Sequence, residues 1–118
     1  MRKSPHKSRI LVVDDEPFVL RALINELKNN YTVDGYLNPQ EALHNINTQN
    51  YDLAILDVRM PGIDGLELAN HIRIKNPHLP VFFFTGYPDS KAVQWVENHS
   101  KAYRVAKPWL KDLFILVK

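Results

Sequence analysis

The chain has 118 residues, 45% of them hydrophobic and 24% charged, with a formal net charge of +2. That length sets a single domain and is enough to bury a core without staples. There is no Cys, which excludes disulfides and thiolate zinc sites, and no apolar run approaches the length that spans a bilayer. The basic start lacks the apolar region of a signal peptide, so the expected compartment is the cytoplasm.

The net charge is unevenly placed. Arg2, Lys3, Lys7 and Arg9 carry four positive charges before any acid appears; from Ile10 onward, eleven Lys/Arg face thirteen Asp/Glu, a net of −2. Residues 1–8 therefore read as a flexible basic leader, and residues 9–118 as a mildly acidic domain with no footprint for nucleic acid and none for a membrane.

In chain order, Ile10-Leu11-Val12-Val13 is a short apolar run that fits a strand covered on both faces, and it ends in Asp14-Asp15-Glu16-Pro17. Asp15 or Glu16 suits a helix cap, and Pro17 suits the first helical turn. Leu20, Leu23, Ile24 and Leu27 then recur at helical spacing. Tyr31 to Tyr36 reads as a weaker strand interrupted by Gly35. Asn38-Pro39 opens a second helix with Ala42, Leu43 and Ile46 inward. Leu53-Ala54-Ile55-Leu56 is a second fully apolar strand, and it stops at Asp57. Pro61-Gly62 forces a loop after it. A third helix follows Asp64-Gly65, with Leu68, Ala69 and Ile72 on its inner face, and ends before Pro77. Leu79 to Phe84 is a fourth strand ending at Thr85-Gly86. Pro88 and Asp89 open a fourth helix with Ala92, Val93 and Val96 inward. Ala102 to Ala106 is a fifth strand ending at Lys107-Pro108. Leu110, Leu113, Phe114 and Val117 predict a last helix without a stop signal. Strands alternating with helices imply an α/β fold, a parallel sheet doubly wound with helices on both faces.

A parallel sheet brings the strand ends to one edge. Here that edge gathers Asp14, Asp15, Asp57, Thr85 and Lys107. Carboxylates crowded together repel unless a cation sits among them, and an all-oxygen set favours Mg²⁺, or Mn²⁺. Lys107 suits a phosphate as a point charge, and Thr85 adds a hydroxyl donor. The chemistry such a set supports is in-line attack by Asp57 on phosphorus, giving an aspartyl phosphate.

These residues resemble a response-regulator receiver domain of two-component signalling over about Arg9 to Lys118. Asp14-Asp15 matches the family's acidic pair, Asp57-Val58-Arg59-Met60-Pro61-Gly62-Ile63-Asp64-Gly65 the segment around its phosphoacceptor, Thr85-Gly86 its hydroxyl residue and small neighbour, and Lys107-Pro108 its lysine and following proline. The resemblance implies a flavodoxin-like, five-stranded sheet of order 2-1-3-4-5. It implies a switch that takes a phosphoryl group on Asp57 from a sensor histidine kinase or phosphotransfer protein. Mg²⁺ would be held by Asp15, Asp57 and the backbone carbonyl of Arg59, with Asp14 acting through water. Thr85 and Lys107 would bind the phosphoryl group. It implies no enzyme beyond the domain's own phosphorylation and dephosphorylation. The output surface would comprise the fourth helix, fifth strand and last helix, with Trp95, Tyr103, Arg104 and Trp109. An output domain beyond Lys118, or a homodimer, is the expected context.

One position departs from the family pattern. Three residues before Lys107, where a switch aromatic usually stands, the chain has Arg104, and Tyr103 lies one position off. Either the strand is shifted locally or the aromatic relay is absent. Two other readings stand beside the switch: a receiver-like interaction module that is not phosphorylated, and a Mg²⁺-dependent phosphatase using an aspartyl phosphate. The second needs a carboxylate two residues after the nucleophile, where Arg59 stands. Phe82, Phe83 and Phe84 read as core, Trp95 as partly exposed, and His6, His44, His71, His78 and His99 as solvated.

Overall fold

The computed structural model describes residues 8–86 and 89–107. Nine elements alternate along these residues: β1 (Arg9–Val13), α1 (Pro17–Leu27), β2 (Thr32–Tyr36), α2 (Pro39–Ile46), β3 (Leu53–Leu56), α3 (Gly65–Lys75), β4 (Val81–Thr85), α4 (Ser90–Asn98) and β5 (Ala102–Ala106). The strands form one parallel sheet of order β2-β1-β3-β4-β5. The leader, Pro108, Trp109 and the expected last helix lie outside the described residues.

Alternation along the strands splits the core in two. Leu11, Val13, Ala54, Leu56, Val81 and Phe83 point to the side where α2, α3 and α4 pack. Ile10, Val12, Ile55, Phe82, Phe84 and Val105 point to the other side, against Leu20, Leu23 and Leu27 of α1. The central strands are therefore apolar without interruption over Ile10 to Val13, Leu53 to Leu56 and Val81 to Phe84, as a sheet buried on both faces requires. Helix starts follow local chemistry. The Asn38 side chain accepts the Gln40 N–H, Asp64 accepts that of Glu67, and Asp89 accepts those of Lys91 and Ala92. Glu16 stands at the N-cap of α1, yet its side chain makes no capping bond.

The loop after β3 is fixed by two glycines. Gly62 adopts φ +83°, a conformation that side chains disfavour. Gly65, the first residue of α3, donates to the Val58 carbonyl at 2.8 Å. A Cβ there would lie 2.0 Å from the Asp57 carbonyl oxygen. Nothing larger than glycine fits, so α3 starts hard against the backbone of Asp57.

Two expectations about side chains are corrected. Trp95 is buried rather than partly exposed. It meets Phe83 edge-on, donates from Nε1 to Asn70 at 2.8 Å and carries the Arg73 guanidinium 5.4 Å above its ring. His99 is not simply solvated: its ring stacks on Trp95 with centroids 3.7 Å apart. The α4 stripe is thus Ala92 and Trp95, with Val93 and Val96 only half-buried. The β5 question also resolves. Pairing with β4 runs unbroken from Ala102 to Ala106, so there is no local shift. Tyr103 pairs with Phe82 and stacks on it at 4.7 Å, on the α1 side, while Arg104 pairs with Phe83 and is exposed. The only aromatic of β5 therefore faces away from α4.

Candidate functional site

β1, β3, β4 and β5 end on one edge of the sheet, delivering Asp14, Asp57, Thr85 and Lys107 there. Backbone hydrogen bonds lock these ends in register: Asp57 N–H donates to Val13 O at 2.9 Å, Asp14 N–H to Tyr36 O at 3.1 Å, and Lys107 N–H to Thr85 O at 2.8 Å. Asp14, Asp57 and Thr85 are the buried polar residues of the described chain, 1%, 5% and 2% exposed. Groups this deeply buried are stable only when paired.

For the two carboxylates, Lys107 supplies the pairing. Its ammonium lies 2.9 Å from Asp14 and 3.2 Å from Asp57, and it also donates to Glu16. The Phe84 ring lies beneath it, 6.0 Å from the nitrogen to the centroid. Asp14 uses its other oxygen to accept the Glu16 N–H at 2.9 Å, a turn that folds Glu16 back toward the site. Carboxylate oxygens of Asp14, Glu16 and Asp57 lie within 4.8 Å of one another.

The electrostatics follow from that crowding. Burial and the Asp14 charge push the Asp57 carboxyl up to about 6, against the pull of Lys107. Burial likewise raises Asp14, opposed by its hydrogen bonds to Lys107 and to the Glu16 N–H. Burial alone would lower Lys107, yet its bonds to Glu16 and Asp14 and the charges of Asp14 and Asp57 carry it above the ordinary lysine range. Three ionised carboxylates around one ammonium leave two negative charges uncompensated. That is the charge of one divalent cation, and an all-oxygen donor set fits a hard one.

The edge opens into a cavity of about 700 Å³ lined by Asp15, Glu16, Asp57, Arg59, Gly86 and Lys107, with Phe18, Val19 and Ala22 as its apolar wall. Asp14 and Thr85 are buried around it. Asp15 lines the cavity and stands outside the tight carboxylate trio. Glu16, which the sequence offers only as a helix cap, belongs to that trio. Its signal is indirect: a third acid after a strand, followed by Pro17, has a side chain free to turn inward because α1 does not need it.

The response regulator receiver domain model matches residues 10–116. The chain belongs to this family. It is 40% identical over 84 residues to the sensor protein EvgS of Escherichia coli K12, which covers 69% of this chain and 7% of that protein. It is 37% identical over 106 residues to the transcriptional regulatory protein ResD of Bacillus subtilis, covering 88% of this chain and 43% of ResD. The receiver thus spans less than half of either relative. Among solved structures, the response regulator protein TrrA of Thermotoga maritima in complex with Mg²⁺-BeF is 38% identical, with a TM-score of 0.80 over 93% of this chain and 96% of that one. Receivers are regulatory modules that accept a phosphoryl group, and the acidic pocket of Asp14, Glu16 and Asp57 is in place for that role. Among the described residues no helix is long and apolar enough to cross a membrane.

Proposed function

We propose that this receiver is a phosphorylation-activated switch in which Asp57 accepts the phosphoryl group. The observation that carries the reading is the arrangement of Lys107 among three carboxylates, two positive charges short of neutrality, at the mouth of an open cavity. Mg²⁺, or Mn²⁺, would be held by Asp57, Asp15 and the backbone carbonyl of Arg59, with Asp14 acting through water and Glu16 adding a carboxylate. Such a cation supplies positive charge that screens an incoming phosphate from the acidic cluster. The Mg²⁺-BeF complex of the similar TrrA structure supports this assignment.

The chain's own residues account for the rest. Asp57 is ionised for the most part at neutral pH, since its carboxyl titrates near 6. One oxygen attacks phosphorus; the P–O bond to Asp57 forms as the bond to the donor's imidazole nitrogen breaks, and the imidazole leaves taking a proton. Lys107, already 3.2 Å from Asp57, follows the charge onto the phosphoryl oxygens. Thr85, buried beside Gly86, offers its hydroxyl as a further donor. Hydrolysis of the acyl phosphate returns Asp57 to its resting form. A sensor histidine kinase or phosphotransfer protein is the donor, and a linked output domain or a second copy reads the change, in the cytoplasm.

Incubation with Mg²⁺ and acetyl phosphate followed by intact-mass measurement tests the reading. One phosphoryl adduct is expected on the wild type and none on Asp57→Ala. No adduct on the wild type would refute it and leave the non-phosphorylated interaction module standing; an equal adduct on the variant would refute Asp57 as the acceptor.

A further inference from the structure

The side chain of Arg59 has a position separate from that of its backbone. The guanidinium lies 3.7 Å from the Asp89 carboxylate, with the Arg59 side chain 62% exposed and that of Asp89 15%. Arg59 lines the cavity that holds Asp57 and Lys107, and it also lines the adjoining groove with Asp89, Ser90 and Lys91. It sits on the border between the site and the start of α4.

Asp89 divides its two oxygens. Oδ1 accepts the N–H groups of Lys91 and Ala92 at 2.9 and 3.3 Å and so begins α4, while Oδ2 faces Arg59. One carboxylate therefore joins the first turn of the helix to the loop that follows the phosphoacceptor. The pair is long and its cation is mostly in water, so it holds weakly.

We propose that phosphorylation of Asp57 draws the Arg59 guanidinium from Asp89 to the phosphoryl oxygens, and that this exchange of partners releases the first turn of α4. The inference rests on the function proposed above. A phosphoryl group carries roughly 1.5 to 2 negative charges and three acceptor oxygens, against the single charge of Asp89. The planar fork of Arg matches such a group. A route through Arg59 and Asp89 does not depend on β5, whose one aromatic lies on the α1 side of the sheet. The far half of α4 stays anchored: Trp95 remains bonded to Asn70 and packed on Phe83. The release is therefore confined to the first turn.

Asp89→Asn isolates the ion pair, since Asn caps a helix as well as Asp does. Amide hydrogen exchange is followed by mass spectrometry in the wild type, Asp89→Asn and Arg59→Met, each with Mg²⁺, with and without acetyl phosphate. In the wild type, phosphorylation should speed exchange over residues 89–93 by about two- to five-fold, the scale of one exposed ion pair. Both variants should exchange at that faster rate before phosphorylation and change little after it, while peptides around Trp95 stay constant in all cases. A phosphorylated wild type with unchanged exchange over 89–93, or an Asp89→Asn protein that keeps the full response, would overturn the proposal and leave the phosphoacceptor reading intact. Absence of a phosphoryl adduct on the wild type, seen in the same mass traces, would sink both.

Discussion

The two edges of the sheet treat charge in opposite ways. Toward the N-terminal edge, the Arg9 guanidinium meets Asp34 at 2.9 Å, and the Tyr51 hydroxyl donates to the same carboxylate at 2.8 Å. Arg73 there donates to the carbonyls of Leu79 and Lys101 at 2.7 and 2.9 Å, and to that of Ser100, tying α3 to the turns before β4 and β5. Cations and acceptors match, and the result is a fastening. At the C-terminal edge, three carboxylates share one ammonium and the balance is left open. Matched polar groups hold the fold; the mismatch at the other edge is a binding capacity.

Substituting one cation on each edge is the strongest way to break this contrast. Lys107→Met strips the ammonium that pairs with buried Asp14 and Asp57, which should destabilise the metal-free protein by about 3–5 kcal/mol in urea melts. It should also abolish the phosphoryl adduct, and added Mg²⁺ should recover part of the lost stability. Arg73→Met should destabilise by about 2–3 kcal/mol through its orphaned carbonyls, with phosphorylation unchanged and no response to Mg²⁺ beyond that of wild type. If both variants lost stability alike and Mg²⁺ rescued neither, the edges would not differ as described.

Removing an anion has the reverse sign at the functional edge. Asp57→Asn keeps the shape and relieves the repulsion from Asp14. It should stabilise the metal-free chain by about 2 kcal/mol while preventing phosphorylation, a gain in stability with a loss of function.

How far the sequence reveals these two edges depends on what each rests on. Apolar runs ending in Asp14, Asp57, Thr85 and Lys107 disclose the C-terminal edge because a strand's direction and its last residue are local properties, and the parallel sheet does the rest. The face of Tyr103 was left open between a local shift and an absent relay, and only the unbroken pairing of β5 with β4 decides it. Glu16 was not legible as a member of the carboxylate trio, since its inward turn depends on Asp14 capturing the Glu16 N–H and on Lys107, 91 residues away. The sequence of α4 reads as Ala92, Val93 and Val96 inward with Trp95 partly exposed; its burial comes from Phe83 and Asn70 on other elements. Gly35 looked like a flaw in β2, yet a Cβ there would come within 2.7 Å of Ile24, so the glycine lets α1 lie close on the sheet. The Arg59–Asp89 pair joins two loops and left no periodic trace.

A smaller effect sharpens the comparison through pH. The Asp57 carboxyl titrates higher in the folded metal-free protein, near 6, than its ordinary value of 3.8. The folded state thus binds the extra proton between those values. The associated stability is fully present below about 3.8 and is lost as pH rises through about 6; Asp14, raised in the same direction, adds to the slope. Urea melts without metal should show stability falling from pH 4 to 7, and the slope should flatten in Asp57→Asn.

Calorimetric titration of Mg²⁺ into the wild type and Asp57→Asn, at pH 6 in two buffers of different ionisation enthalpy, tests the open charge balance most directly. The account predicts one ion per wild-type chain, bound with release of protons from the carboxylate cluster, and a much weaker interaction with less proton release in the variant. Equal binding by the two proteins, or no binding by the wild type, would contradict it.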